Sequence, residues 1–358
     1  MKYNVTINET LARTLQVEAG SQEEAESVIN RLYRNSGIIL SADDYVSTEI
    51  FVDRSQPYYK SPSNDFTLIQ GDCNDTLSKF SFGFDMVFAD PPYFLSSGGI
   101  SYQSGKVVCV DKGDWDKPKT PQEMDAFNLR WLTSVRAHMK DNATIWISGT
   151  YHNIFSVQQQ LIRLGFKILN VVTWAKTNPP PNISCRYFTY STEFIIWARK
   201  LAKVPHYFNY DLMKQLNGNK QMTDVWHLPA IARWEKSCGK HPTQKPLGLL
   251  ARIIEASTKP GAWILDPFSG SATTGIAANL LGRKYLGLEI EDEYLAMSRA
   301  RREEIERPDV RADYINRLAK SGSILPPDDL FAQEPCLDYG KIPQVQDRTA
   351  IIGVRYRP

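Results

Sequence analysis

A chain of 358 residues is long enough for one large α/β domain with additions, or for two domains. Its hydrophobic fraction of 42% and charged fraction of 23% suit an ordinary soluble, cytoplasmic protein, with no long apolar run or basic-then-apolar leader to suggest a membrane or export. The formal net charge of +2 permits a nucleic-acid partner without requiring one, and five scattered cysteines without a Cys-x-x-Cys argue against a disulfide framework or a zinc site.

Residues 1–53 read as a small α+β module. Val5–Ile7 begins a strand, Leu15–Ala19 alternates like a second, and Ser21 can cap a helix whose apolar face runs through Ala25, Val28, Ile29 and Leu32. Tyr45–Val52 is a further strand, and a polar linker from Asp53 to Asn64 follows. From residue 65 short apolar strands alternate with helical stretches, which predicts βαβ units and a mostly parallel sheet. Phe66–Gln70, Met86–Ala89, Thr144–Ile147, Lys167–Trp174 and Glu193–Trp197 are the first strands, with helices near 121–139 and 154–164 between them. Trp263–Leu265 and Tyr285–Leu288 are the last, joined by a helix holding Ile276, Ala277 and Leu280. Residues 308–358, rich in proline and polar groups, read as an extension of unspecified order.

Two strand ends carry chemistry. Asp266 closes one strand and leads through Pro267, Phe268, Ser269 and Gly270 into a Ser/Thr-rich turn and a helix. Glycine lets a backbone approach a ligand, and a helix N-terminus offers free N–H donors. Glu289 ends the next strand, where an acid in a doubly wound fold binds ribose hydroxyls. The turn lacks the Gly-Lys-Ser/Thr of a P-loop and the full Gly-x-Gly-x-x-Gly of a dinucleotide site. A nucleoside cofactor without phosphate, such as S-adenosylmethionine, is compatible with it.

The second strand end reads Asp90-Pro91-Pro92-Tyr93. An exocyclic amino nitrogen of adenine or cytosine is a poor nucleophile because its lone pair is delocalised into the ring. Two acceptors on its hydrogens, the Asp90 carboxylate and the Pro91 carbonyl, would favour a pyramidal nitrogen with its lone pair free. Successive prolines stiffen that carbonyl's direction, and Tyr93 offers a face for a base taken out of the duplex. Taken alone, Asp-Pro-Pro-Tyr is also a common way to turn a chain after a strand. Its pairing with a separate cofactor turn favours chemistry.

Both motifs together resemble the amino-methyltransferases of DNA, and their order resembles the circularly permuted group often called β. FADPPYFLSSGGI (88–100), VDKGDWDK (110–117), CRYFTYSTEFIIWARK (185–200), GKHPTQKP (239–246) and ILDPFSGSATTG (264–275) are similar to the second methyltransferase of DpnII-type restriction–modification systems. The first 53 residues look like the short DpnD family. The resemblance implies a Rossmann-like, S-adenosylmethionine-dependent methyltransferase fold, circularly permuted, whose mostly parallel sheet has an antiparallel edge, over residues 65–307.

By that resemblance Asp90, Pro91, Pro92 and Tyr93 hold a target adenine for methylation at N6. Asp266, Phe268, Ser269, Gly270 and Thr273 surround the cofactor's methionine end, Glu289 its ribose and Asp72 its adenine. Thr243 and Lys245 approach its carboxylate. The implied target is GATC, in duplex and in single-stranded DNA, with GANTC as the alternative. Cytosine N4 as acceptor and a non-catalytic regulator are the competing functions. No metal is needed, a homodimer is open, and a restriction endonuclease is an expected functional partner. A target-recognition segment is expected near 200–240, where Lys200, Lys203, Lys214, Lys220, Arg233, Lys236 and Lys240 are interleaved with Tyr207, Phe208, Tyr210, Trp226 and Trp234. Ser96–Gly113 is read as a second DNA-contacting loop.

Overall fold

The computed structural model describes residues 5–11, 15–35, 38, 40–41, 44–52, 57–79, 81–94, 99–103, 106–110, 119–182, 185–239 and 241–326. The 110–117 motif beyond Val110, Lys240 and the chain after 326 lie outside them, as do residues 53–56 of the linker.

In the N-terminal module β1 (Val5–Leu11) pairs antiparallel with β2 (Tyr45–Val52) across α1 (Gln22–Arg34). Ser21 caps α1 as expected, its hydroxyl accepting from the Glu24 N–H at 3.2 Å. Leu15–Ala19, expected as a strand, is irregular. Alternation over so few residues does not make a strand when β1 already has β2 as its neighbour.

The main body opens with β3 (Tyr59–Lys60), β4 (Phe66–Gln70), α2 (Cys73–Leu77) and β5 (Phe84–Ala89). A hairpin of β6 (Gly99–Gln103) and β7 (Lys106–Val110) then occupies most of the stretch read as a glycine-rich loop. The β-branched and aromatic residues at 100, 102, 107 and 108 suit strands more than the glycines oppose them. Next come α3 (Pro121–Ala137), β8 (Met139–Gly149), α4 (Ile154–Arg163), β9 (Lys167–Lys176), β10 (Thr192–Arg199), α5 (Tyr210–Leu216) and β11 (Val225–Leu228). The body continues through α6 (Leu247–Ser257), β12 (Trp263–Asp266), α7 (Thr273–Leu280), β13 (Lys284–Glu289), α8 (Asp292–Glu304) and α9 (Pro308–Lys320).

Nine strands form one sheet in the order β11-β9-β10-β8-β5-β12-β13-β4-β3. Strands β8, β5, β12, β13 and β4 run parallel, and β10 is antiparallel to both β8 and β9. The late strands β12 and β13 lie between the early β5 and β4, which is the permuted order the motifs imply. Both faces are covered, so the central strands are apolar throughout rather than alternating. On β5, Met86 and Phe88 face one core with α6 and α7, while Val87 and Ala89 face a second with α3 and α4.

The stretch from 308 departs from its reading as an extension. Pro308 takes a first-turn position of α9, and Tyr314 and Leu318 are buried against the same core as α6. Proline-rich composition hid a helix whose apolar residues sit four apart. None of the described helices is long and apolar enough to cross a membrane.

Candidate active site

Strands β5 and β12 are parallel neighbours with Val87 opposite Leu265, so Asp90 and Asp266 emerge at the same sheet edge. Ligands of open α/β sheets bind at this carboxyl edge, where strand order switches. A cavity of about 300 Å³ opens between them. Asp72, Asp90, Pro91, Pro92, Tyr93, Thr243, Lys245, Asp266, Phe268, Ser269, Gly270, Thr273 and Glu289 all line it, so the residues of the two motifs and those assigned to the cofactor converge on one site.

The β12 side is a glycine turn tied down by acids. Asp266, buried, accepts from the Phe268 N–H at 3.1 Å and the Thr274 hydroxyl at 2.6 Å. Burial pushes its carboxyl up to about 7, more than those two hydrogen bonds lower it. Glu289 accepts from the backbone N–H groups of Gly270, Ile290 and Glu291 at 2.7, 2.9 and 3.0 Å, and burial raises its pKa too. Gly270 has a left-handed φ of 51°, and a Cβ there would stand 3.0 Å from the His241 ring. Burial lowers the His241 pKa to about 4, so that ring is neutral at pH 7. Arg301 on α8, fully buried, donates to the Ser271 carbonyl at 2.5 Å and the Thr273 hydroxyl at 2.9 Å, clamping the entry to α7. Asp72 caps α2 through the Asn74 N–H at 2.8 Å and stands at the cavity rim.

The β5 side is a closed polar cluster. The Tyr93 hydroxyl donates to Asp90 Oδ1 at 2.6 Å and lies 2.9 Å from Ser148 Oγ on β8. Lys245 Nζ holds Asp90 Oδ2 at 2.5 Å and Glu193 Oε2 at 3.7 Å, and Lys176 pairs with Glu193 Oε1 at 2.6 Å. Burial pushes Lys245 toward the neutral amine, but the Asp90 and Glu193 charges outweigh it and leave its pKa above the ordinary value. Burial and then the Asp90 charge raise the Tyr93 pKa, so it stays a phenol donor.

Lys245, which the resemblance places near a cofactor carboxylate, lines the cavity and is held by two protein carboxylates at the Asp90 motif. Tyr93 also lines the cavity and is largely buried, with Lys245 Nζ 5.3 Å from the centre of its ring.

The segment 200–240 is more structural than its composition suggests. Trp226 is buried on β11, Phe208 packs on Trp197 and Trp234 on Tyr314, at 5.4 and 5.0 Å between ring centres. Lys203, Lys214, Lys220 and Arg233 are exposed there. The sequence reading missed Ser148, Glu193 and Arg301, whose partners are distant in sequence. Among the described residues no cluster of His, Cys, Asp or Glu could hold a metal ion.

A DNA methylase family model of the N6/N4 type matches residues 84–300, and a DpnD/PcfM-like model matches residues 3–48. The chain is 54% identical over 273 residues to the type II methyltransferase M2.MboI of Moraxella bovis, covering 76% of this chain and all of that one. It is 55% identical over 251 residues to M2.DpnII of Streptococcus pneumoniae, covering 70% and 93%. Among solved structures, that of the M1.HpyAVI–SAM complex superposes with a TM-score of 0.52 at 27% identity, covering 66% of this chain and 98% of that one. The PvuII cytosine-N4-specific DNA methyltransferase shares the fold, with a TM-score of 0.54 at 20% identity over 74% and 96% of the two chains. With a matching family model over most of its length and these relatives, the chain belongs to the N6/N4 DNA methylase family.

Proposed function

We propose that this chain transfers the methyl group of S-adenosylmethionine to N6 of adenine in DNA, at GATC, in duplex and single-stranded substrates. One observation carries the reading: Asp90-Pro91-Pro92-Tyr93 and the Asp266-to-Thr273 turn end neighbouring parallel strands and open into one cavity. GATC and the tolerance of single strands rest on the resemblance of the motifs. The type II designation of the relatives supports a functional pairing with a restriction endonuclease.

The β12 side fits the cofactor. Asp266 and Glu289 are buried acids suited to a cationic ligand with ribose hydroxyls, and Gly270 leaves open the space a Cβ would fill. Asp266, Phe268, Ser269, Gly270 and Thr273 would hold its methionine end, Glu289 its ribose, Asp72 its adenine and Thr243 its carboxylate. When bound there, the cofactor supplies an electrophilic methyl on a cationic sulfur.

Asp90 then has to exchange protein donors for the substrate's amino hydrogens. Both donors have somewhere else to go: the Tyr93 hydroxyl has Ser148, and the Lys245 ammonium has Glu193. An N6–H can therefore replace either at Asp90 without leaving a buried donor unpaired, which avoids a cost of about 1–3 kcal/mol. The Pro91 carbonyl would accept the second hydrogen. Alignment of nitrogen and methyl is the main contribution asked of the protein.

The test is methyl transfer from labelled S-adenosylmethionine to unmethylated DNA, read by nucleoside mass spectrometry and site mapping. N6-methyladenine at GATC is expected, and N4-methylcytosine would overturn the acceptor. Asp90→Ala should abolish transfer and leave cofactor binding within a few-fold. Equal loss of both in a folded variant would contradict the division of roles.

A further inference from the structure

Beside the Asp90 cluster lies an aromatic surface that neither the core nor the cofactor half uses. Strand β8 ends at Gly149, and Tyr151 and His152 follow it at once. Tyr187, Phe188 and Tyr190 precede β10, which pairs antiparallel with β8, Phe194 opposite Gly149. Both groups therefore emerge at the end of β8 that carries Ser148, the partner of Tyr93.

Tyr151, His152, Tyr187 and Tyr190 form one array, and Phe188 adjoins it in the chain. Tyr151 stacks on Tyr190 with centres 5.5 Å apart and planes 20° from parallel, and their hydroxyls lie 3.0 Å apart. His152 lies 3.7 Å from Tyr151, and Tyr187 lies 5.6 Å from Tyr190. Phe188 is 96% exposed, and Tyr151, Tyr187 and Tyr190 are 44, 59 and 56% exposed. The loop is built to hold this display: Asn182 donates its side-chain N–H to the Tyr187 carbonyl at 2.5 Å and its backbone N–H to Thr189 Oγ1 at 3.3 Å. No acidic residue occurs in 150–155 or 177–191, and Arg186 directly precedes Tyr187 in the chain.

We infer that this surface is a stacking platform for unpaired bases of the DNA strand whose adenine enters the site. The inference rests on the function proposed above and deepens it. Flat faces next to a cation, without acids, match a polyanion that presents bases, and base–aromatic stacking tolerates any sequence. The platform continues from the catalytic cluster, so bases beside an extruded adenine would meet it first. In a duplex those bases stay stacked in the helix, and the platform matters less.

The test is fluorescence anisotropy of the full chain with a labelled oligothymidine, which offers no adenine to the catalytic pocket. Phe188→Ala should raise the Kd for this strand about fivefold or more, and Tyr187→Ala with Phe188→Ala about twentyfold or more. Phe188→Trp should bind within about twofold of the parent. Unchanged Kd values in both alanine variants would overturn the platform. So would light scattering that shows a dimer lost in Phe188→Ala while strand affinity holds, since the surface would then join two copies. The titration needs no methyl transfer. Weakened binding in the alanine variants, together with a parent chain that methylates no DNA, would sink the proposed function and keep the platform.

Discussion

Replacing Asp266 by asparagine should stabilise the ligand-free protein at neutral and basic pH. Burial pushes this carboxyl up to about 7 from an ordinary 3.8. The fold therefore holds the Asp266 proton more tightly than the unfolded chain does. Its stabilising effect is complete below the unfolded value, declines as pH rises, and is gone above the folded value. A tenfold difference in proton affinity is worth about 1.4 kcal/mol, so ionised Asp266 costs the empty fold about 4 kcal/mol above pH 7. Asparagine avoids that cost and can keep both local bonds. Its Oδ1 accepts from the Phe268 N–H, while Thr274 turns from donor to acceptor for Nδ2. The assay is urea unfolding of parent and variant from about pH 4.5 to pH 8, where differences between the two cancel the other titrating groups. The variant should gain steadily on the parent up to about pH 7 and then hold an advantage of about 3–4 kcal/mol. Cofactor affinity should fall in the same variant. A difference that stays flat across this range would refute the argument that the buried charge is uncompensated.

Gly270→Ala should cost about 1–2 kcal/mol, since alanine is strained at a φ of 51°. Gly282→Ala, with a φ of 74° and nothing within 4 Å of its Cβ, carries the strain alone, so a larger loss at 270 in thermal melts isolates the His241 contact. Lys245→Met takes the cation from Asp90, only 15% exposed, and leaves Glu193 with Lys176 alone, and should cost about 3 kcal/mol in chemical denaturation. Glu193→Leu should cost less in that background than in the parent, and a strictly additive double variant would deny that the two groups share Lys245. Arg301→Met should cost about 2–3 kcal/mol by leaving the Ser271 carbonyl and Thr273 hydroxyl without their donor. Calorimetry should show cofactor affinity falling with it, and intact affinity would remove Arg301 from the turn's support.

What could be read from the sequence was what is local in it. Asp90 and Asp266 each follow a short apolar strand directly, so a strand, an acid and a turn within ten residues announce both halves of the site. Ser21 and α1 were legible for the same reason. Pairings across the chain were not. Lys245 lies 155 positions from Asp90, and nothing in HPTQKP says that its ammonium meets Asp90 and Glu193. Aromatic composition near 200–240 suggested a DNA surface, but Trp226 and Trp234 pack inward while Phe188 and Tyr187 point out. Type and spacing cannot separate these cases, because burial of an aromatic depends on which face of the sheet its neighbours cover. Helix α9 was hidden by an average: a segment rich in proline and polar residues still places Val310, Tyr314 and Leu318 on one face.

The charges explain why the site is arranged as two halves. Asp266, Glu289, Asp90 and Glu193 bring four carboxylates to one region, and the raised values at Asp266 and Glu289 show that burial is not fully offset there. On the β5 side the protein supplies its own cations: Lys245 bridges Asp90 and Glu193, and Lys176 closes the chain. On the β12 side, Asp266 and Glu289 have only neutral donors, namely N–H groups and the Thr274 hydroxyl. A ligand carrying positive charge completes that half, whereas a neutral amino group has to compete with Tyr93 and Lys245 for Asp90. The geometry thus suits the proposed reading, with a cationic cofactor at Asp266 and a neutral base at Asp90. A negatively charged cofactor would meet buried acids on the side built to receive it. That asymmetry distinguishes a methyl-donor site from a phosphate-binding one more firmly than the missing glycines of the turn.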